Sequence, residues 1–173
     1  LNRLIQKCLN ASKFVRTNTN IDKGAVSVSY AAVEKINSFC NNKQISIANI
    51  GIGNTGKLTL EYLLKKKYKN ITIINRTLKV AKDISKEYNI KYSKIENLSK
   101  IIQRTDVLIF STSSTKKLIT ATQLTDTIKN KKKKLFIVDL GVPTNVSKDV
   151  RNIKNITLFN IENLKDEVNK NYK

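Results

Sequence analysis

This 173-residue sequence predicts an α/β fold with a doubly wound parallel sheet. Short apolar segments alternate with amphipathic segments of helical period, which is typical of parallel strands covered by helices on both faces. A glycine-rich loop follows the first of these apolar segments and leads directly into a helix. Apolar residues make up 40% of the chain, which is enough for a buried core. Together these observations favour a Rossmann-type domain, preceded by an N-terminal helical leader.

The first 42 residues predict the helical leader. Apolar residues recur every three or four positions from Leu1 to Leu9, which indicates an amphipathic helix. Residues 15–24 are polar and predict a connector. A second amphipathic helix is expected over residues 25–39, ending near Asn41 and Asn42. We therefore expect residues 1–42 to form an all-helical unit.

The alternation of strands and helices begins after residue 42. Strands are predicted at residues 45–50, 71–74, 90–92, 107–110, 135–138 and 156–159. Helices are expected between them: one over residues 58–64, one capped by Thr77 that carries Val80, Ala81, Ile84 and Tyr88, a short one near residues 98–102, and one that opens with a capping box of Thr120 and Gln123. We expect residues 43–160 to form a nucleotide-binding domain and residues 161–173 to begin a further helix.

Composition restricts the chemistry. The chain has no histidine, which excludes an imidazole base and any histidine-ligated metal in this chain. Cys8 and Cys40 are the two cysteines, and two distant thiols do not make a metal site. We expect no metal, and both thiols reduced and buried in a cytoplasmic compartment. The chain has no methionine and no signal-peptide pattern, so we expect it to be a piece of a longer protein or a processed product.

The charge balance is strongly positive. The chain has 33 Lys and Arg against 13 Asp and Glu, for a formal net charge of +20. Such a charge would attract a polyanion such as nucleic acid. The lysines are scattered, however, and a general bias toward Lys, Asn and Ile explains them as well. Both interpretations stay open on the sequence alone.

The glycine-rich loop is the most informative motif. It has the form GxGxxG, directly after the first predicted strand, and consists of Gly51, Ile52, Gly53, Asn54, Thr55 and Gly56. In dinucleotide-binding domains the first glycine makes a tight turn, the second admits the diphosphate, and the third lets the helix pack against the strand. The helix N-terminus then offers free N–H donors to the phosphates.

Two other interpretations of this loop remain. Residues 51–57 also read GxxxxGK, the beginning of a P-loop, with Asp139 as a possible second metal-binding residue. A P-loop needs Ser or Thr at the next position, and Leu58 stands there. Alternatively, the glycines only make a turn.

The end of the second predicted strand distinguishes these interpretations. Asn75, Arg76 and Thr77 lie about 20 residues beyond the last glycine, where a dinucleotide site reads the adenosine ribose. An acid there favours NADH, whereas Arg76 can bind the 2′-phosphate of NADPH with about 1.5–3 kcal/mol. That corresponds to a preference for NADPH of about ten- to a hundredfold. Lys79 adds positive charge, and the alternative is that Arg76 is an ordinary surface arginine.

Two later loops should line the same cleft. Ser111, Thr112 and Ser113 follow the fourth predicted strand, and Gly141 follows the fifth. The carboxyl ends of parallel strands are where such ligands bind. We expect the small serine and threonine side chains to line the cofactor cleft and Gly141 to let the backbone approach the nicotinamide. The alternative for Asp139 is that it only holds its loop.

At this point the sequence resembles the glutamyl-tRNA reductases. The specific signal is the stretch GAVSVSYAAVE at residues 24–34. Other matching segments, in the same order, are residues 1–7, residues 15–19, the glycine loop, the NRT triplet at 75–77, residues 110–112, residues 136–143 and residues 156–164. The glycine loop and NRT triplet are shared with shikimate dehydrogenase-like proteins.

The resemblance implies a role. This chain would be the NADPH-binding part of an enzyme that reduces glutamyl-tRNA to glutamate-1-semialdehyde, in tetrapyrrole (porphyrin) synthesis. The family's catalytic cysteine belongs to a preceding domain, and its homodimer forms through a following one, so no catalytic residue is expected here. Two alternatives remain: a shikimate dehydrogenase-like NADP oxidoreductase domain, and a nucleotide-binding, RNA-associated module without catalysis.

Overall fold

The computed structural model describes residues 6–8, 10–11, 14, 23–40 and 42–164. Within them, six parallel strands form one sheet in the order β3-β2-β1-β4-β5-β6. The strands are β1 (Ile47–Ile50), β2 (Ile71–Ile74), β3 (Lys91–Ser93), β4 (Val107–Phe110), β5 (Leu135–Asp139) and β6 (Ile156–Asn160). The helices are α1 (Lys23–Phe39), α2 (Asn54–Lys65), α3 (Leu78–Tyr88), α4 (Leu98–Arg104) and α5 (Ala121–Ile128), with 3₁₀ turns at Ile95–Asn97 and Lys148–Asn152. The predicted Rossmann-type sheet is confirmed.

The strand order changes direction at β1. The chain runs outward from β1 to β3 and then returns to place β4 on the other side of β1. Ile50 at the end of β1 is in register with Ile74 and Phe110, and Phe110 is in register with Asp139. The carboxyl ends of β1, β2, β4 and β5 therefore meet at one edge, which is where ligands bind in open α/β sheets.

Helices cover both faces of the sheet, which explains the nearly continuous apolar runs of the central strands. All residues of β1, β4 and β5 are buried. One core includes Ile47, Leu60 of α2 and Ala81 of α3. The other includes Ala48, Leu98 of α4 and Leu124 of α5. Successive strand residues thus contribute to opposite cores.

The α1 helix packs on the first of these two faces. Ala32, Val33 and Ile36 are fully buried in the same core as the inward residues of α2. The ring of Phe39 stacks on that of Phe136, with 4.3 Å between centroids. The second helix predicted for the leader is confirmed, and it contributes directly to the core. A domain boundary at residue 42 stays a prediction.

Several expectations need correction. The β1 strand begins at Ile47 rather than at residue 45, because the preceding Ser46 N–H donates to the Asp106 carboxylate at 2.9 Å. Thr77 occupies the N-cap position of α3, but its side chain makes no capping hydrogen bond. Of the apolar residues predicted for this helix, Ala81 is buried as expected, but Val80 is 40% exposed, and the polar Ser85 is buried. The capping box of Thr120 and Gln123 is confirmed.

Neither cysteine is buried, so that prediction is wrong. Cys8 is exposed, and Cys40 is partly exposed because it lies just beyond the last turn of α1. Most of the predicted first helix and residues 15–22 of the predicted connector lie outside the described residues. The C-terminal helix begins at residue 161 as predicted, and residues 165–173 likewise lie outside the described part.

Candidate functional site

The glycine loop joins β1 to α2 at the edge where the strand ends meet. Gly51 has φ +92°, in the left-handed region that favours glycine. A Cβ at this residue would lie 2.8 Å from the carbonyl oxygen of Ser111. The Gly51 N–H donates to the Ile74 carbonyl at 2.8 Å, which ties the turn to the end of β2. Gly51 is therefore required by the fold itself.

Gly56 is also required by the fold, for a different reason. It lies in the first turn of α2, where a Cβ would collide with the carbonyl oxygen of Gly51. The buried amide of Asn49 in β1 donates to the Gly56 carbonyl at 2.9 Å. This close contact between strand and helix is the role expected of the third glycine in such a loop.

Gly53 has no comparable structural requirement. Its φ is −69°, which any residue adopts, and a Cβ there would have no heavy atom within 4 Å. The open space lies at the N-terminus of α2, where Gly53 is the N-cap and no side chain caps the helix. The first-turn N–H groups of a helix have no partner within the helix, and they bind anions readily. A diphosphate fits this position, and a side chain at residue 53 would fill the same space.

The side chains around the loop do not form a P-loop. Lys57 points toward Glu87, with 3.8 Å between Nζ and Oε1. Leu58 occupies the position where a P-loop has its magnesium-binding hydroxyl. The two carboxylate oxygens of Asp139 accept the Gly141 N–H at 3.0 Å and the Val146 N–H at 2.8 Å. Asp139 thus holds its own loop.

The second predicted group follows β2, next to the glycine loop. The Asn75 side chain donates to the Thr77 carbonyl at 3.2 Å and shapes the turn into α3. Arg76 and Lys79 are exposed, and their side chains have no hydrogen bond or ion pair with any other described residue. The first turn of α3 contains no acidic residue. Two free cations therefore stand beside the expected ribose position.

The residues after β4 have structural tasks within the site. Ser111 Oγ donates to the Gly51 carbonyl at 3.0 Å, and its N–H donates to the Ile50 carbonyl at 2.8 Å. Thr112 donates to Asn145 through both its N–H and its hydroxyl. Ser113 is exposed and has no hydrogen bond to any residue in the described part of the chain. Of these three side chains, that of Ser113 is the one left available to a ligand.

Sequence reasoning missed Asn145. This residue is fully buried, and its amide joins the loop after β4 to the loop after β5. Its Nδ2 donates to the carbonyls of Pro143 at 3.3 Å and Ser114 at 3.4 Å. A Cβ at Gly141 would lie 2.5 Å from the Asn145 Oδ1, so Gly141 is small because this amide packs against it. Its place in a loop carried no sequence signal, because an asparagine there is typical of any turn.

Burial affects Asp139 beneath the same loop. Desolvation raises the pKa of its carboxyl above the ordinary value, while the hydrogen bonds from Val146 and Gly141 act in the opposite direction. Val142, on the outside of the loop, is 74% exposed. The loop therefore presents an apolar surface at the carboxyl edge of the sheet and is held from beneath by polar groups.

The sheet topology and this loop define a nucleotide-binding dehydrogenase fold. The chain belongs to the family described as "Shikimate / quinate 5-dehydrogenase", whose model matches residues 31–167. The resemblance to glutamyl-tRNA reductases is also confirmed. Curated proteins of that name from Sulfurihydrogenibium sp. and Trichodesmium erythraeum are 34% and 37% identical over 99% of this chain.

The relatives are longer than this chain, which spans 39% and 40% of the length of these two proteins. Among solved structures, the glutamyl-tRNA reductase from Methanopyrus kandleri superposes with a TM-score of 0.76 at 22% identity. That match covers 96% of this chain and 42% of the solved one, and it shows the shared fold. No helix in the described residues is long and apolar enough to cross a membrane.

Proposed function

We propose that this chain is the NADPH-binding part of a glutamyl-tRNA reductase. The parent activity would be the NADPH-dependent reduction of glutamyl-tRNA to glutamate-1-semialdehyde. Support comes from curated relatives of that name that match 99% of the chain. A shikimate dehydrogenase-like oxidoreductase would use the same kind of nucleotide domain, but the relatives favour the tRNA-dependent enzyme.

The observation that carries the proposal is the open space at Gly53. It lies over the uncapped N-terminus of α2, between two glycines that the fold itself requires. The N–H groups of residues 54–56 would hold the diphosphate. Arg76 and Lys79 would bind the 2′-phosphate, and Ser113 would contact the ligand from the loop after β4. NADPH, when bound, supplies the hydride.

The cysteines of this chain are poor candidates for the nucleophile of such a reaction. Partial burial, followed by the nearby charge of Asp106, raises the pKa of the Cys40 thiol, which disfavours the reactive thiolate. Cys8 is exposed and lies far in sequence from the cofactor loops. We therefore assign this chain the binding and orientation of the cofactor, and assign attack on the ester to residues outside it. The resemblance to glutamyl-tRNA reductases implies that the dimer contacts of the parent also lie outside this chain.

A ligand comparison tests the proposal. The chain would be titrated with NADPH, NADH and ATP–magnesium, following the quenching or shift of reduced-nicotinamide fluorescence and, for ATP, heat of binding. We expect NADPH to bind about ten- to a hundredfold more tightly than NADH. Tighter binding of ATP–magnesium than of NADPH would overturn the assignment.

A further inference from the structure

A second groove lies at the opposite end of the strands from the glycine loop. Its volume is about 790 Å³. Its walls come from residues that precede or begin β1 to β4, such as Ser46, Asn70, Lys91 and Thr105, and from the exposed side of α4. The glycine loop leaves β1 at its carboxyl end, whereas most of the groove lining lies at or before the amino ends of the strands. The groove reaches the carboxyl end of a strand at Ser93 of the edge strand β3.

The groove exists because α4 covers only part of this face. Thr72 in β2 is in register with Ala48 and with Lys91 of the edge strand β3. Where Ala48 is fully buried in the core, Thr72 stays partly exposed and lines the groove. The apolar residues Leu98 and Ile102 of α4 face the core. The sheet therefore presents the Thr72 hydroxyl to the groove beside the outer side of α4, to which Lys100 and Arg104 contribute charge and Ile101 contributes apolar surface.

The charged residues that line the groove are all positively charged. Its lining includes three cations, Lys91, Lys100 and Arg104, and no Asp or Glu. All three are exposed, and their side chains form no ion pair or hydrogen bond with another residue in the described ranges. Elsewhere Lys57, Lys66 and Lys133 do lie against carboxylates. The cations of the groove are thus left free.

Apart from Ile101, the remaining lining residues carry hydroxyl or amide groups: Ser46, Asn70, Thr72, Ser93, Asn97, Gln103 and Thr105. The hydroxyls of Ser46 and Thr105 already donate to backbone carbonyls. The side chains of Asn70, Thr72 and Gln103 have no hydrogen bond within the described part of the chain and suit phosphate oxygens. Proteins contact the sugar-phosphate backbone of nucleic acids through this combination of Arg and Lys with Ser, Thr, Asn and Gln. Such contacts do not depend on the base sequence. The groove has no exposed aromatic side chain among its lining on which a base could stack.

We propose that this groove binds the phosphodiester backbone of RNA. The inference rests on the proposed function for the identity of that RNA, which would be the tRNA part of the substrate. The contact is electrostatic and independent of base sequence. It holds the RNA at the edge of the sheet away from the dinucleotide, so that RNA and NADPH bind together.

A matched pair of triple variants tests this inference. The groove variant carries Lys91→Gln, Lys100→Gln and Arg104→Gln. The control carries Lys86→Gln, Lys148→Gln and Lys154→Gln, three exposed lysines outside the groove, so both variants lose three charges. Binding of an uncharged glutamate tRNA transcript would be followed by fluorescence anisotropy over a series of salt concentrations, and NADPH would be titrated in parallel.

The groove variant should bind the transcript at least about tenfold more weakly than the control near 0.1 M salt, and the slope of log K against log salt should fall by about 2–3. NADPH binding should be unchanged in both. Equal losses of transcript affinity in the two variants would show that net charge alone attracts RNA, and would overturn the assignment of RNA binding to the groove. Absence of measurable tRNA binding by the unaltered chain at low salt would overturn it too. Either result leaves the NADPH titration as a separate test of the proposed function.

A second measurement needs no variant. Photo-crosslinking of the transcript to the unaltered chain, followed by peptide mass spectrometry, should mark the peptides of β3 and α4 that contain Lys91, Lys100 and Arg104. Cross-links confined to the lysine run at residues 131–134 would assign RNA binding to that run and overturn the inference.

Discussion

The buried amide oxygen of Asn145 accepts two hydrogen bonds from Thr112, one from the N–H at 3.2 Å and one from the hydroxyl at 2.9 Å. Thr112 belongs to the loop after β4, and Asn145 to the loop after β5. The same side chain donates to the Pro143 carbonyl within its own loop. One residue therefore fixes the distance between two loops that border the candidate dinucleotide cleft.

Removing this amide should loosen the cleft. In Asn145→Ala the partly buried Thr112 N–H and hydroxyl both lose their acceptor, so we expect the free energy of unfolding to fall by about 1–3 kcal/mol. NADPH affinity should fall as well, because both loops lose their common support. Urea denaturation and NADPH titration measure the two effects. The exposed Asn152→Ala serves as control and should change stability by less than about 0.5 kcal/mol. Unchanged NADPH affinity in a destabilised Asn145→Ala would remove the link to the cleft.

Substitution of Gly53 and substitution of Gly56 should have different effects on stability and on NADPH affinity. Gly53→Val places its side chain in open space with an ordinary φ, so we expect near-native stability but at least about a tenfold loss of NADPH affinity. Gly56→Ala would drive a Cβ against the Gly51 carbonyl, and should destabilise the fold by about 1–3 kcal/mol. Thermal unfolding and NADPH titration compare the two. A folded Gly53→Val that binds NADPH normally would show that the loop is not the site.

The fold could be predicted from the sequence because each element carried its own local signal. The runs in β1, β2, β4 and β5 are apolar at nearly every position, and the structure buries them on both faces. The weakly apolar β3 was placed one residue early, since an exposed edge strand shows little hydrophobic contrast. The packing of α1 onto the sheet was not predicted, because an amphipathic pattern shows that a helix buries one face without showing against what.

The candidate site was predictable only in part. A GxGxxG pattern after a strand identifies the loop, but the pattern treats all three glycines alike. The structure separates Gly51 and Gly56, which the fold requires, from Gly53, which it does not. Gly141 was assigned to ligand approach, and the pattern gave no sign that the Asn145 amide packs against it. Contacts between residues such as Thr112 and Asn145, 33 positions apart in sequence, have no local signature.

Arg76 should determine which dinucleotide is preferred. Arg76→Asp replaces a free cation by an anion, which repels a 2′-phosphate and accepts a hydrogen bond from a 2′-hydroxyl. We expect NADPH affinity to fall by about ten- to a hundredfold while NADH affinity holds or rises. Lys86→Asp, on the exposed side of the last turn of the same helix, makes the same charge change as a control. Equal losses for NADPH and NADH in Arg76→Asp would mean that Arg76 does not read the phosphate.

Asp139 links the stability of the cleft to pH. Because burial raises the pKa of its carboxyl in the folded state, the folded chain holds this proton more tightly than the unfolded chain does. The protonated carboxyl of Asp139 therefore adds to the free energy of unfolding. This contribution is fully present below the ordinary pKa of 3.8 and is lost as pH rises through the raised pKa of the folded state. Asp139→Asn cannot titrate at this position, and its amide turns an NH₂ group toward one of the two backbone donors. We therefore expect the variant to be less stable by about 1–3 kcal/mol, and the gap between the two proteins to widen as pH falls. Urea denaturation of both between about pH 3 and pH 7 measures the gap, and a gap that narrows toward low pH would show that the hydrogen bonds from Gly141 and Val146 outweigh burial.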